Sequence, residues 1–475
     1  MLYDDYHPET LNYIDHKLLF YFWKEYNISL MDFSLFKSPA DIYNDQTIFY
    51  AIMNDKPELL CNIINAEYYS DLYFFDSNLF PFSGNTIIEL CCYYGAEKCF
   101  KMIKTEFTEQ LFYLSPNCTS YSFLSGNLDI ISECLLSRDP SDLTMEYAVF
   151  SHNIDFISFL FNEYNIEIDP EKCYKYHNLS SLFMLMDQSE RINSFFPSSP
   201  ILDIPSFCEF FLENGVDINE RDKFNLTALH IAVMYNRYNI VELLISRGAD
   251  INIQDANQES ALHFAVYNKN LEIVKILVEK KIDMNIKNYA GMTPLIIAAK
   301  NSNTEIANYL ILQGANLKVK DIHGKSVIHY AAKQNNINLM NTLISNGADI
   351  NEEDSEKLTP LMIATKKCNK LMAENLISHG ADINRKNHNG KTALHYAVLY
   401  DSINIAEILL SNGIEINAKT NDGITAFDYA KQSNNIKMMS LIQNHLTSNK
   451  TNSTIDDILV AQMKMYINTN DMQEI

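Results

Sequence analysis

A short apolar run that begins with Thr or Ser recurs along the second half of the chain and predicts the start of a helix. The run at Thr392 reads "TALHYAV". Thr and Ser are good N-cap residues, and Pro294 and Pro360 stand at a first helical position, where the missing N–H costs nothing. The run begins again every 33 residues, at Thr227, Ser260, Thr293, Ser326, Thr359, Thr392 and Thr425. A fixed period of this length predicts an array of equal helical units.

Each unit also predicts a second helix that ends at a glycine. Apolar residues recur at helical spacing within "NIVELLISRGAD", at Ile240, Val241, Leu244 and Ile245. Gly248 follows at the place where a left-handed residue ends a helix. The same landmark returns in phase with the first, for example as "GVDIN", "KIDMN", "GANLK" and "GIEIN". Two landmarks that keep one register along the whole array are not chance.

These landmarks resemble the ankyrin repeat, whose signature is D-x-x-G-x-T-P-L-H-x-A-A followed by E-I-V-x-L-L-L-x-x-G-A-D. The resemblance covers residues 194–446 and implies an all-α fold, an ankyrin-repeat solenoid of stacked helix pairs with short β-hairpin fingers. It implies seven repeats, anchored from Thr227 to Thr425, after a degenerate leading repeat. The leading repeat keeps a second helix in "DIPSFCEFFLENGVDIN", whereas Pro197 and Pro200 interrupt its first helix.

Residues 1–193 carry a weaker form of the same pattern. Thr86 and Gly95 lie nine residues apart, like the N-cap and the inter-helix turn of the regular repeats. Further second helices are predicted in the segments that begin at Ser125, Ser151 and Tyr176. This part resembles the domain of unknown function that precedes ankyrin repeats in many protist proteins, itself a divergent ankyrin-type helical stack.

Residues 447–475 are predicted to form a C-terminal tail. The tail begins with polar residues, and its segment from Ile455 to Tyr466 is either a short amphipathic helix or part of a frayed end. No recruitment motif is recognisable in it.

The glycine pattern of the repeats is interrupted by replacements. Lys281 replaces the glycine that ends a second helix, and Gln258 and Lys357 replace the glycine of a finger turn. A non-glycine residue in the left-handed conformation costs about 1 to 2 kcal/mol. We therefore expect these three positions to be locally weak joints.

Histidine occupies the fourth position of the recurring run in four repeats, at His230, His263, His329 and His395. The other repeats have Ile296, Met362 and Asp428 at this position, and a catalytic or metal-binding histidine would not be replaced in this way. The resemblance implies that the imidazoles and the N-cap hydroxyls bond to the main chain of the fingers. The hydroxyl groups concerned belong to Thr227, Thr293, Thr359 and Thr392. We therefore predict a structural role for both sets.

Composition and motifs exclude several classes of function. The 475 residues include 60 acidic and 37 basic side chains, a net charge of −23, which argues against nucleic acid or an anionic membrane as the main partner. No apolar run approaches the ~20 residues of a membrane span, and the first residues do not resemble a leader peptide. We expect a monomeric protein of the reducing cytoplasm.

The sequence contains no recognisable catalytic or metal-binding motif. The nine cysteines lack the spacing of a disulfide framework or a zinc site, and they are expected to be buried thiols. No phosphate-binding loop, nucleophile elbow or zinc-protease helix is present. We expect no catalytic residue, no metal and no cofactor, although an enzyme within residues 1–193 remains as an alternative of low weight.

The resemblance implies a non-enzymatic scaffold that binds partner proteins on the concave face of the solenoid. Candidate binding residues stand just before the Thr or Ser of each run and near the end of the first helix. They are Phe224, Leu226, Met234, Tyr235, Tyr267, Tyr289, Met292, Lys333, Leu399 and Tyr400, with Ile322, Lys366, Lys367 and Ile424 at comparable positions. Each side chain could instead pack against a neighbouring repeat. A regulatory subunit, an inhibitor or a substrate adaptor of another enzyme is the alternative function.

Overall fold

Helix pairs build both parts of the chain. The structure is a computed structural model and describes residues 48–66, 86–107, 114–188 and 192–448. The chain divides into two compact units, one ending at Ile192 and the other beginning at Asn193. The all-α fold class is confirmed. The tail segment from Ile455 to Tyr466 lies outside the described residues.

Helices of the N-terminal unit alternate between a first and a second helix, separated by two or three residues. The first helices in the described part are Ile48–Met53, Ile87–Tyr94, Pro116–Ser125, Asp142–Phe150 and Pro170–Lys175. The second helices are Pro57–Ala66, Glu97–Glu106, Leu128–Ser137, Ile154–Tyr164 and Leu179–Gln188. First helices of neighbouring pairs pack against each other, which makes one continuous stack. The second helices expected from the "SGNLDIISECLL", "SHNIDFISFLF" and "YHNLSSLFMLM" segments are confirmed.

A buried carboxylate, Glu89, holds two of these pairs in register. The main-chain N–H of Thr86 donates to Glu89 Oε2 at 2.8 Å, and the Glu89 N–H donates to the Thr86 hydroxyl, which closes a capping box. The hydroxyl of Ser115, the N-cap of the next first helix, donates to Glu89 Oε1 at 2.5 Å. Gly95 is left-handed, with φ 68°, as predicted for the turn between helices.

The C-terminal unit contains the regular array. Its first helices are Ala228–Met234, Ala261–Tyr267, Pro294–Lys300, Val327–Lys333, Pro360–Lys366, Ala393–Leu399 and Ala426–Gln432. Its second helices are Tyr238–Ser246, Leu271–Glu279, Thr304–Leu312, Ile337–Ser345, Lys370–Ser378, Ile403–Ser411 and Ile436–Ser448. We number these repeats 1 to 7. None of the helices within the described ranges is long and apolar enough to cross a membrane.

The degenerate leading repeat has the predicted form. A second helix spans Pro205–Glu213, and two short 3-10 turns, Ile192–Phe195 and Ser199–Leu202, replace the first helix. The prolines explain the replacement, because Pro197 and Pro200 cannot supply the main-chain N–H groups that an α-helix needs.

Each histidine of the array bonds its own N-cap and the next finger. In repeat 2, the Ser260 N–H donates to His263 Nδ1 at 3.1 Å, and His263 Nε2 lies 3.2 Å from the carbonyl oxygen of Met292. A main-chain N–H can only donate and a carbonyl can only accept, so the imidazole must be neutral with its proton on Nε2. His329 and His395 make the same pair of bonds, whereas His230 bonds its N-cap in the same way but has its Nε2 3.1 Å from the carbonyl oxygen of Ile253, earlier in the next repeat.

The predicted structural role of the histidines agrees with these contacts, and burial keeps the rings neutral. Burial lowers the pKa of His263 from its usual 6.5 to about 4, and it lowers the pKa of His230, His329 and His395 in the same direction. In repeat 7, Asp428 closes the cap instead, since its carboxylate accepts from both the N–H and the hydroxyl of Thr425.

The expected β-hairpin fingers are not seen as strands. Among residues 192–448 only single antiparallel bridges join the two sides of a finger, for example Gln254 with Ser260. The side chain at the start of the finger explains this. Asp255 Oδ1 accepts the N–H groups of Asn257 and Glu259 at 2.8 and 2.7 Å, and this Asx turn leaves too little extended chain for a strand.

Main-chain hydrogen bonds join neighbouring finger tips. The N–H of Ile322 donates to the carbonyl of Ala290 at 3.1 Å, and the equivalent bond recurs at each joint between residues 224 and 421. The tips approach so closely that glycine is required at some of them. Gly324 has φ 71°, and a Cβ on it would lie 2.6 Å from the main-chain nitrogen of Ser355.

A second ladder uses asparagine side chains after the second helices. The Asn252 Oδ1 accepts the N–H of Asp283 at 2.9 Å, and Asn219, Asn285, Asn351 and Asn384 make the same bond to the residue 31 positions later. Lys318 occupies this position once, and it has no carbonyl oxygen on its side chain to accept the N–H of Asp349. The joint between these two residues therefore lacks a bond that its neighbours have.

The left-handed conformation expected at the three glycine replacements is confirmed. The φ angles are 67° at Lys281, 59° at Gln258 and 55° at Lys357. Non-glycine residues with positive φ also stand between the two helices of every regular repeat, which the sequence alone did not reveal. They are Asn236, Lys269, Ser302, Asn335, Cys368, Asp401 and Asn434.

Replacing Lys281 with glycine should stabilise the array. Nothing lies within 4 Å of a Cβ built on Gly248 or Gly314, the equivalent residues, so we attribute the cost at Lys281 to its positive φ. After the entropy lost by introducing a glycine, we expect a net gain of about 0.5 to 1 kcal/mol in the free energy of unfolding. The measurement is the thermal midpoint. Lys280→Gly is the control, since Lys280 has φ −83° and should lose stability.

Replacing Lys318 with asparagine should restore the missing bond of the asparagine ladder. The Lys318→Asn side chain would accept the Asp349 N–H, and one hydrogen bond contributes about 1 kcal/mol. We expect a higher denaturant midpoint and slower hydrogen exchange at Asp349. Lys318→Gln, whose amide is one methylene further from the main chain, is the matched control. Equal midpoints for both variants would contradict this account of the joint.

The buried histidines should make folding sensitive to mild acid. Between pH 6.5 and about 4, His263 is protonated in the unfolded chain but not in the folded chain. The free energy of unfolding therefore falls as the pH falls through this window. The loss from His263 is at most about 3 kcal/mol. In His263→Ile, urea unfolding measured at each pH should show a shallower dependence. The same dependence in wild type and variant would refute the assignment, and His388→Gln, at an exposed finger position, is the control.

Candidate interaction surface

Finger tips of the array present large apolar side chains to solvent. Phe224, Tyr289 and Ile322 are exposed to 55, 66 and 66%. A tight turn fixes the finger of Phe224, because Asp222 Oδ1 accepts the N–H groups of Phe224 and Leu226 at 2.8 Å. The ammonium of Lys223 lies 5.1 Å from the centre of the Phe224 ring, a cation–π contact.

Ends of the first helices form a second row of exposed positions. The last residues of these helices are Met234, Tyr267, Lys300, Lys333, Lys366, Leu399 and Gln432. Tyr235 and Tyr400 follow directly after two of them and are exposed to 46 and 44%. Met234, Tyr267, Lys333 and Leu399 are exposed as well, as the sequence predicted. The 33-residue period therefore places these side chains at equivalent positions of successive repeats.

Tyr267 is held in place by a carboxylate. Its hydroxyl donates to Glu259 Oε1 at 2.7 Å, and the Asn288 amide donates to the same oxygen at 3.2 Å. Burial, followed by the charge of Glu259, raises the pKa of the Tyr267 phenol above its usual value. The ring therefore stands at the surface with its polar end already bonded, and it offers mainly apolar area to a partner.

Tyr400 is held in place by stacking. Its ring lies 6.4 Å from that of Tyr396, with 24° between the planes. The hydroxyl of Tyr396 accepts a hydrogen bond from the buried Asn387 amide at 2.9 Å, which anchors the inner ring of the pair. Leu399, the preceding residue, is exposed to 43%. Two adjacent apolar side chains thus stand at the end of the first helix of repeat 6.

One of the predicted binding residues is buried and another is half-buried. Met292 is buried, with 8% of its area exposed, and Leu226 is half-buried. Both directly precede an N-cap, where the main chain turns into the first helix. The Met292 sulfur lies 3.8 Å from Lys300 Nζ, so its side chain lies beneath the end of that helix. The expectation that this position is exposed is wrong for Met292.

Four lysines lie on repeats 3 to 5, and one of them, Lys300, was not among the residues predicted from the sequence. Lys300, Lys333 and Lys366 end three successive first helices, and Lys367 follows the third. Lys366 is half-buried and the other three are exposed. Lys300 was overlooked, although its distance of 33 residues from Lys333 would have identified it. Within the described ranges none of the four ammonium groups forms an ion pair.

Metal-binding groups and reactive cysteines are the remaining candidates for chemistry in the described part of the chain. No set of three His, Cys, Asp or Glu side chains there could hold a metal ion. All nine cysteines are free, and seven are buried, while Cys61 is half-buried and Cys368 exposed. Burial raises the pKa of Cys173 to about 12 and that of Cys208 to about 11, which favours the thiol over the reactive thiolate.

Comparison with protein-family models agrees with the geometry of both units. Residues 203–288, 287–354 and 328–420 match the model described as ankyrin repeats in three copies. Residues 112–185 match a domain of unknown function, DUF3447. No curated protein matches the chain. With its N-caps, fingers and 33-residue helix pairs, the C-terminal unit contains ankyrin repeats, and the chain carries this domain of unknown function ahead of them.

Proposed function

We propose that this protein is a non-enzymatic scaffold that binds partner proteins along the concave face of its ankyrin array. Ankyrin repeats indicate a role in protein–protein interaction. The observation that carries the finer proposal is the row of exposed Tyr, Phe and Leu side chains at finger tips and first-helix ends. Aromatic side chains of this kind supply much of the binding energy of protein interfaces.

Preorganised contacts support this proposal. Glu259 holds Tyr267, Tyr396 supports Tyr400, and Lys223 covers Phe224. Side chains that are already held lose little conformational entropy when a partner binds, so more of the contact energy remains as affinity. The net charge of −23 favours a protein over nucleic acid as that partner, and we propose that the protein acts as a monomer.

Domain limits are part of the same proposal. We assign residues 1–193 to the divergent helical domain, 194–446 to the ankyrin array and 447–475 to the tail. The division of the chain at Ile192 and the residues matched by the two family models support the first of these limits.

Removing the exposed aromatic side chains should abolish partner capture. Full-length protein and its Phe224→Ala, Tyr235→Ala, Tyr289→Ala, Tyr400→Ala combination would be used as baits in lysate of the source cells, and bound proteins measured by crosslinking and mass spectrometry. We expect recovery of the specific partners to fall at least about tenfold, because truncating a central aromatic residue costs about 2 kcal/mol or more.

The matched control removes exposed apolar residues from the second helices. Tyr238→Ala, Leu312→Ala, Leu371→Ala and Ile436→Ala truncate side chains that are exposed to 43, 73, 64 and 43%. This variant should recover the same partners as wild type, and both variants should keep a thermal midpoint near that of wild type. Equal recovery of partner proteins by all three baits would contradict the assignment of the binding face.

A further inference from the structure

The four lysines of repeats 3 to 5 form a basic surface on a strongly acidic protein. We name Lys300, Lys333, Lys366 and Lys367 the lysine row. The repeats on either side carry apolar residues at the same positions, Tyr267 before the row and Leu399 after it. The row is therefore a local change of charge within one continuous line of equivalent surface positions.

The two buried carboxylates of the neighbouring fingers already have hydrogen-bond partners. Asp321 and Asp354 are buried, and each accepts two main-chain N–H groups of its own finger turn. Lys320 pairs with Glu352 at 2.6 Å, and the ammonium of Lys325 lies 3.9 Å from Asp354. Lys320, Lys325 and Lys370 thus have carboxylate partners, whereas the four ammonium groups of the lysine row have none within the described residues.

A role in helix stability alone does not explain where these lysines lie. Lysine at a helix C-terminus interacts favourably with the helix dipole, by about 0.3 to 1 kcal/mol. That benefit is equally available to the second helices, yet in repeats 1 to 6 their last turns contain no basic residue. In repeats 3 to 5 the last residue of each first helix is instead a lysine.

We propose that the lysine row binds an acidic segment of a partner protein, with apolar residues of that segment seated on Tyr267 and on Leu399 and Tyr400. This inference rests on the proposed function of the array and identifies the chemistry of its partner. Packed helices lie about 10 Å apart, so the row spans about 20 Å, or roughly six extended residues. With both apolar flanks the site accommodates a segment of about 12 residues.

Charge favours a protein segment over a polyanion. Nucleic acid binding depends on neutralising many phosphates, and a chain with net charge −23 repels a long polyanion outside the row. A short acidic segment meets only the local positive charge, and a partner can supply apolar contacts at both ends that a phosphate backbone cannot.

Peptide selection on the full-length protein tests this inference. The baits are wild type, Lys333→Glu with Lys366→Glu, and a control, Lys280→Glu with Lys437→Glu, which changes the charge equally at exposed lysines near the ends of second helices. The probe is a display library of random 12-residue peptides. Wild type and control should enrich peptides with central Asp or Glu and apolar ends. A selected peptide, once synthesised, should bind the row variant at least about tenfold more weakly and lose affinity in high salt.

Failure of this inference can be told apart from failure of the proposed function. Peptides that lack acidic residues but lose binding in Tyr235→Ala with Tyr400→Ala would overturn the lysine row and leave the binding face in place. Selection unaffected by either set of changes would overturn both. Binding of a 30-nucleotide single-stranded DNA or of phosphatidylserine vesicles that depends on the row would reassign it to a non-protein anion. If the charge reversal lowers the thermal midpoint, Lys333→Gln with Lys366→Gln replaces it.

Discussion

Each repeat can satisfy its buried polar groups only with the help of the next repeat, and this constraint governs the whole array. The finger N–H and the N–H that follows a second helix find their acceptors 31 or 32 residues away, and the histidine Nε2–H finds its acceptor 29 residues away in three repeats and 23 residues away at His230. A repeat that rotated or slid would leave several of these donors buried without a partner, at a cost of about 1 to 3 kcal/mol each. The ladders therefore make successive repeats a rigid frame, on which side chains at equivalent positions stand in a line.

The sequence predicted the parts of this frame that depend on residue type at a fixed spacing. Thr, His and Gly at 33-residue intervals were sufficient to place the helices, the N-caps and the left-handed residues at the glycine positions, but not the left-handed residues between the two helices of each repeat. The finger ladder could not be predicted in this way, because main-chain groups carry it and any residue can supply them. The exposure of Met292 was misjudged for a related reason. Period alone does not tell whether the residue before an N-cap lies above or beneath its helix, and only the packed side chain of Lys300 decides it.

Lys300 shows that functional positions of a repeat array become visible when equivalent residues of successive repeats are compared. Taken singly, a lysine at a helix end is unremarkable, because most surface lysines contribute only to solvation and the helix dipole. Compared across repeats, the same position is Met234, Tyr267, three lysines, Leu399 and Gln432, and the change of chemistry along this row becomes visible. Residues that vary at one structural position of the repeat indicate where function differs, whereas residues that recur in every repeat indicate only how the fold is held together.

The lysine row also lies where some of the recurring hydrogen bonds between repeats are missing. Ile296 and Met362 replace the histidines of repeats 3 and 5, and Lys318 replaces the asparagine between repeats 3 and 4. In an array held together by nearest-neighbour contacts, such a region separates two more cooperative blocks and opens at the lowest free energy. A ligand bound across this region would contact both blocks at once and would therefore stabilise the region against local opening. Partner binding at repeats 3 to 5 would thereby also determine how much of the array opens and closes as one cooperative unit.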